Sequence, residues 1–194
     1  MNPEPRFRHP AKASRPRGAR MIEMYSLKLG RRVTAHSYPQ FEAILAAEVD
    51  SVVSSYCERP TEEGLAADLW QRCGVEESFV ILTEGECTAL WMDIPVRRIA
   101  AAELASRRMW LRNWQSMLPV VIASYDTTIG ALRNDVRCLV RESMALATIE
   151  KELVTGDPAP LRGCLFRLLL EGELKAPSLH VEALSQSTRI GPAS

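Results

Sequence analysis

Apolar residues return at helical spacing along several stretches of this chain, with strand-like runs between them. In HSYPQFEAILAAEVD the positions Phe41, Ile44, Leu45 and Val49 form one face, Pro39 suits a first helical turn, and Ser37 suits the turn that opens it. Glu42 stands on a neighbouring angular position. The run from Val52 to Tyr56 reads as extended and ends at Pro60, so a helix followed by an extended segment is the economical reading. Upstream, MIEMYSLKLGRRV suits a first strand or an extended arm. TEEGLAADLWQRCG is ambiguous, with Leu65, Leu69 and Trp70 available for packing. In SFVILTEGECTALWMDI, Phe79 to Leu82 and Thr88 to Ile94 flank EGEC and predict a β-hairpin within a sheet, with Glu84 and Glu86 as charges at its tip. IAAAELASRRMWLRNWQSML predicts a helix that stops before Pro119, and PVVIAS a short strand or connector.

The last seventy residues predict a separate module. Ile129, Leu132, Val136, Leu139 and Val140 make one apolar stripe, MALATIEKELV a second helix, and LRGCLFRLLLEGEL a third, approached by Pro158 and Pro160 and closed near Gly172. The period then changes, and HVEALSQSTRI predicts a strand or wing against the helices, a winged-helix-like arrangement. Such a module contacts a DNA groove or serves as a protein-docking platform. Arg162, Arg167 and Lys175 against Glu171 and Glu173 give it little charge for phosphate neutralisation. The expected organisation is an arm over 1–20, an α/β domain over 21–120 and a helical domain over 121–194.

Charge adds a second asymmetry. Residues 1–32 carry nine Arg or Lys and two Glu, about seven net positive charges, in a chain whose formal net charge is zero. With Pro3, Pro5, Pro10, Pro16 and Gly18 interspersed, the first twenty residues predict a disordered basic arm for DNA phosphates or an acidic partner. Arg6, Arg8, Lys12, Arg15, Arg17 and Arg20 are its contact candidates, joined by Arg107, Arg108 and Arg112 downstream. Arg97 and Arg98 belong to the same basic region. Trp110 among these arginines suits base stacking, although two tryptophans near helical spacing better suit a core or an interdomain seam. The 46 percent apolar composition suffices for a substantial core. No apolar stretch reaches bilayer length and no secretory signal is recognisable, so a cytoplasmic protein without a membrane partner is expected. The five scattered cysteines lack metal-site spacing and read as buried thiols. His9, His36 and His180 form no cluster, and no Gly-rich phosphate loop occurs.

The order of basic arm, HSYPQFEAIL helix, VVSSYCERP segment, sheet and small helical domain resembles the TnsA-like transposon endonucleases. Glu42, Arg59-Pro60 and the closing LRGCLFRLLLEGELKAPSLHVEALSQSTRI carry the resemblance, which spans most of Arg31 to Ile190. It implies a restriction-endonuclease-like mixed sheet followed by a winged-helix-like domain, and DNA cutting at transposon ends beside a DDE-type transposase and an AAA+ ATPase regulator. It implies further that acidic residues and a lysine surround magnesium, with carboxylates holding the ion and lysine stabilising developing charge. On that pattern Glu42 is the helix carboxylate and Asp68 the central aspartate, the two being both catalytic and metal-binding candidates, with Asp93 or Glu86 as alternatives to Asp68. The chain departs from the pattern: no Lys occurs between Lys28 and Lys151, and the proline-aspartate pair is missing. Arg97 or Arg98 is a poor substitute for an ammonium. The expectation is a diverged nuclease-fold protein that binds DNA or recruits transposition partners. A magnesium-dependent endonuclease and a two-domain DNA-binding regulator are the alternatives.

Overall fold

The computed structural model describes residues 6–11, 18–60, 66–85, 89–125, 130–154 and 156–193. The chain forms two compact units, 1–106 and 107–194.

The first unit opens with an antiparallel hairpin of β1 (Ile22–Ser26) and β2 (Arg31–Ala35), turned at Gly30, whose φ of 63° suits a residue without Cβ. Helix α1 (Tyr38–Val49) starts where expected: the Ser37 hydroxyl accepts the Gln40 N–H, and Pro39 sits in the first turn. At its far end the ammonium of Lys28 donates to the carbonyls of Ala47 and Asp50 at 2.8 and 2.5 Å, satisfying acceptors that a helix terminus leaves open, and to that of Val53 at the start of the next strand at 2.6 Å. Five further strands follow: β3 (Val53–Glu58), β4 (Leu69–Cys73), β5 (Glu76–Leu82), β6 (Leu90–Trp91) and β7 (Ile94–Ile99). They form one sheet in the order β3-β4-β5-β7-β6, antiparallel except where β5 runs parallel to β7.

Period-two alternation divides this sheet into two faces. On one, Val53, Tyr56, Leu69 and Val80 pack against Ile44 and Ala47 of α1 and against Val33 and Ala35 of β2. On the other, Cys57, Trp70, Phe79 and Ile94 form a second cluster joined by Trp91, Val96 and Phe7. A short helix α2 (Ala101–Ser106) packs on α1 and closes the unit.

Several expectations are corrected here. β5 does not pair with the segment after EGEC: the antiparallel hairpins are β4–β5, turned at Gly74, and β6–β7, turned at Met92 and Asp93. The parallel β5–β7 pair is joined through the small strand β6, and among the described residues of that connection there is none of the helix that usually makes such a crossover. The architecture is a mixed sheet with helices, and nothing in it indicates the restriction-endonuclease-like fold. The expected boundary near residue 120 lies inside a helix, because Pro119 sits on an exposed turn of α3 (Arg108–Ala123) and does not end it. Leu111, Trp114, Leu118 and Val121 continue one buried stripe straight through the proline.

In the second unit α3 packs on α6 (Ala159–Leu170), and Gly163 lies against the end of α3, where an added Cβ would fall 2.2 Å from the Ser124 hydroxyl oxygen. Helices α4 (Gly130–Leu139) and α5 (Leu146–Leu153) fall where apolar spacing places them. The tail differs from expectation. HVEALSQSTRI enters from a 3-10 turn (Pro177–His180), runs irregularly, and becomes strand β10 only at Arg189–Pro192. β10 lies between β8 (Met144–Ala145) and β9 (Leu174–Lys175). The predicted strand or wing is thus confined to these last residues, and the winged-helix label is not retained.

Candidate functional site

Of the two carboxylates proposed for magnesium, Glu42 is buried and Asp68 is bound into the sheet. Glu42 lies on α1 and is 6% exposed, so it is not a solvated surface carboxylate. Asp68 precedes β4 and knits three strands together: its N–H donates to the Val80 carbonyl at 2.9 Å, its carbonyl accepts the Arg59 N–H at 3.0 Å, and its carboxylate accepts the Leu82 N–H at 2.8 Å. Burial pushes its pKa above the ordinary aspartate value, against the pull of the Leu82 amide. Asp93 is exposed in the β6–β7 turn at a φ of 61°, and Glu86 lies outside the described residues. Arg97 pairs with Glu103, and Arg98 reaches the carbonyls of Glu84 and Gly85. Among the described residues no three His, Cys, Asp or Glu side chains are grouped to hold a metal ion.

The carboxylate that this unit organises is Glu48, which was not among the residues expected to form a site. Only 1% exposed, it accepts the Ser26 hydroxyl at 2.6 Å and the Tyr56 hydroxyl at 2.8 Å on one oxygen, and the Leu27 and Lys28 amides on the other. These donors tie the β1–β2 turn to α1 and β3, and leave the carboxylate no geometry for a cation. A signal was present: Glu48 follows Ile44 and Leu45 at i+4 and i+3, within the apolar stripe itself, where a charged residue demands buried partners. Burial beside Glu48 drives the Tyr56 phenol far above its ordinary pKa, and burial raises Cys57 to about 12. Of the other cysteines, Cys164 is buried with its thiol pushed up to about 11, Cys73 is half-buried and Cys138 is exposed, contrary to a uniformly buried set, and Cys87 lies outside the described residues.

Within the basic arm, residues 6–11 depart from the predicted form, while residues 1–5 lie outside the described residues. Phe7 packs its ring 5.6 Å from both Trp70 and Phe79, Arg6 pairs with Glu77 at 3.4 Å, and the Ala11 N–H donates to the Arg59 carbonyl at 2.9 Å. Arg8 and Arg20 are exposed, whereas Lys12, Arg15 and Arg17 lie outside the described residues.

In the second unit the structure builds a surface feature that the sequence reading saw only in part. The Asn113 amide on α3 donates to the carbonyls of Leu179 and Glu182 at 2.8 Å each, and its Oδ1 accepts the Leu184 N–H at 2.9 Å. This clamp fixes the 3-10 turn against the helix and lays His180 on Trp110, rings 5.7 Å apart and within 7° of parallel. The Arg107 guanidinium stands 4.8 Å from the centre of the same indole, and Trp114 meets Trp110 edge-on at 6.4 Å. Arg108 and Arg112 are exposed on the same helix, and Val181 is exposed beside His180. The clamped segment also borders a cavity of about 340 Å³, lined by Val120, Leu146 and Phe166 with Ser116, Arg162 and Gln186 among its polar groups. Arg162 and Gln186 both donate to Glu150, which closes that rim and, through the Arg162 bond first, holds the Glu150 carboxyl below its ordinary range.

The chain matches no family model and no curated protein. The resemblance to transposon endonucleases therefore carries no assignment of activity, magnesium, transposase or ATPase partner. The nuclease-like, DNA-binding, DNA-recombination, transposition and mobile-element assignments are corrected accordingly: Asp68 serves the sheet, Arg6, Arg97 and Arg98 have protein partners, and no metal-holding group forms among the described residues. No helix among these residues is long and apolar enough to cross a membrane.

Proposed function

We propose that this protein is a protein-binding adaptor, and that residues 107–194 take up an acidic segment carrying an apolar anchor residue. The observation that carries this reading is the Asn113 clamp, which lays His180 on the Trp110 ring, where Arg107 also stands, and through Leu184 borders a cavity of mixed apolar and polar lining. Trp and Arg are the residues enriched where binding energy concentrates, and a fixed aromatic platform loses little entropy when covered. Exposed Arg108 and Arg112, with half-buried Arg107 beside them, supply charge that steers an acidic segment, while Val120, Leu146, Phe166 and Leu184 give the cavity an apolar side to seat an aliphatic or aromatic side chain.

Calorimetry tests this with a synthetic peptide of about ten residues, rich in Asp and Glu around one Leu or Phe. The full chain is expected to bind it in a salt-sensitive manner, and Trp110→Ala is expected to weaken binding at least tenfold. No binding, or binding equal for acidic and charge-neutralised peptides, contradicts the reading.

A further inference from the structure

The face of the five-stranded sheet opposite α1 carries an aromatic floor. Trp70 of β4 stands directly across from Phe79 of β5, and Trp91 of β6 meets Phe79 edge-on with ring centres 5.2 Å apart. Trp70 and Phe79 are fully buried, and the aromatic ring that packs on both of them is Phe7, which comes from the arm. The same segment is held at two further points, Arg6 at Glu77 and Ala11 at the Arg59 carbonyl. One aromatic anchor, one ion pair and one main-chain hydrogen bond therefore hold this segment to the sheet face.

The fit at Glu77 is incomplete. One of its oxygens is occupied by Arg72 at 2.8 Å, but the buried Oε2 accepts no hydrogen bond, and Arg6 stands from it at ion-pair distance only, with its own side chain 49% exposed. A buried carboxylate oxygen without a donor is costly, so this seat favours a basic residue placed more closely than Arg6.

We infer that the Trp70–Phe79–Trp91 face is a peptide-binding site, filled by residues 6–11 of the same chain until a partner protein's extended segment, with Arg or Lys one residue before an aromatic, displaces them. The covalent tether gives the arm an effective concentration on the order of millimolar, so a free peptide competes poorly until the arm is weakened. This site lies wholly within residues 1–106 and stands or falls independently of the acidic-segment surface at Trp110.

The test uses full chains, wild type and Phe7→Ala, with an acetylated and amidated peptide of residues 6–11 as probe, read by calorimetry and tryptophan fluorescence. The Phe7→Ala chain is expected to bind the peptide at least tenfold more tightly than wild type does. A peptide carrying Ala at the Phe7 position is expected to lose binding at least tenfold, and Glu77→Gln in the Phe7→Ala chain to weaken it. No binding to the Phe7→Ala chain, with that chain shown folded by circular dichroism, overturns the inference. Unfolding of the Phe7→Ala chain also overturns it, because Phe7 is then a fixed part of the core. Concentration-dependent dimers of wild type that the peptide dissolves would assign the site to the arm of a second copy, and so overturn the partner reading.

Discussion

The Tyr56 hydroxyl donates to Glu48 Oε2 at 2.8 Å in a pocket closed to solvent, and the Ser26 hydroxyl shares that oxygen. Removing the phenol leaves three donors on the carboxylate, whereas removing the carboxylate strands four donors at once. Tyr56→Phe is expected to cost about 1.5–3 kcal/mol, the range for a hydrogen bond to a charged group, and Glu48→Ala distinctly more. Urea unfolding monitored by circular dichroism measures both. A Glu48→Ala cost no greater than that of Tyr56→Phe would show that the carboxylate is not the hub of this unit.

Asp68 makes the opposite kind of contribution. Its folded-state pKa is raised by burial, so the folded protein holds the proton more tightly than the unfolded chain does. Stability from this group is fully present below the ordinary aspartate pKa and is lost as pH rises through the folded value. Asp68→Asn keeps an acceptor for the Leu82 N–H and carries no charge. The variant is expected to be more stable than wild type at neutral pH, with the difference shrinking in acid, as read from unfolding midpoints between pH 4 and 8. Lower stability than wild type at neutral pH would mean that the ionised carboxylate is needed.

Asn113 links the helix to the segment that carries His180. Asn113→Ala removes both donors and the acceptor of the clamp, leaving the Leu179 and Glu182 carbonyls and the Leu184 amide without it. A loss of about 2–4 kcal/mol is expected from these bonds together, along with increased amide hydrogen exchange over 179–184. Unchanged exchange there would show that the turn is held by other contacts.

The parts of the fold written in local pattern were legible in the chain. Ser37, Pro39 and the stripe from Phe41 to Val49 announce α1, and the short helices of the second unit follow their apolar spacing. Pairing between strands was not legible, because periodicity gives the faces of β5 but not its neighbours, and the parallel partner β7 lies beyond β6. Pro119 suggests a stop by its type alone, although Val121 continues the buried stripe past it. In the arm the density of Arg outweighed one Phe, yet Phe7 is the residue that packs into the sheet's aromatic cluster. At the candidate site, Trp110 and its arginines could be found from sequence. His180 could not, since it is brought there by three hydrogen bonds from a residue 66 to 71 positions away.

Docking of an acidic protein segment on the proposed Arg107–Trp110–His180 surface is tested most directly by nuclear magnetic resonance of the full chain. On titration with the acidic peptide, the Trp110 indole and His180 ring signals are expected to shift together and saturate, and Asn113→Ala to abolish their common response. Shifts confined to other residues, or the same saturating response to duplex DNA in place of the peptide, would contradict it.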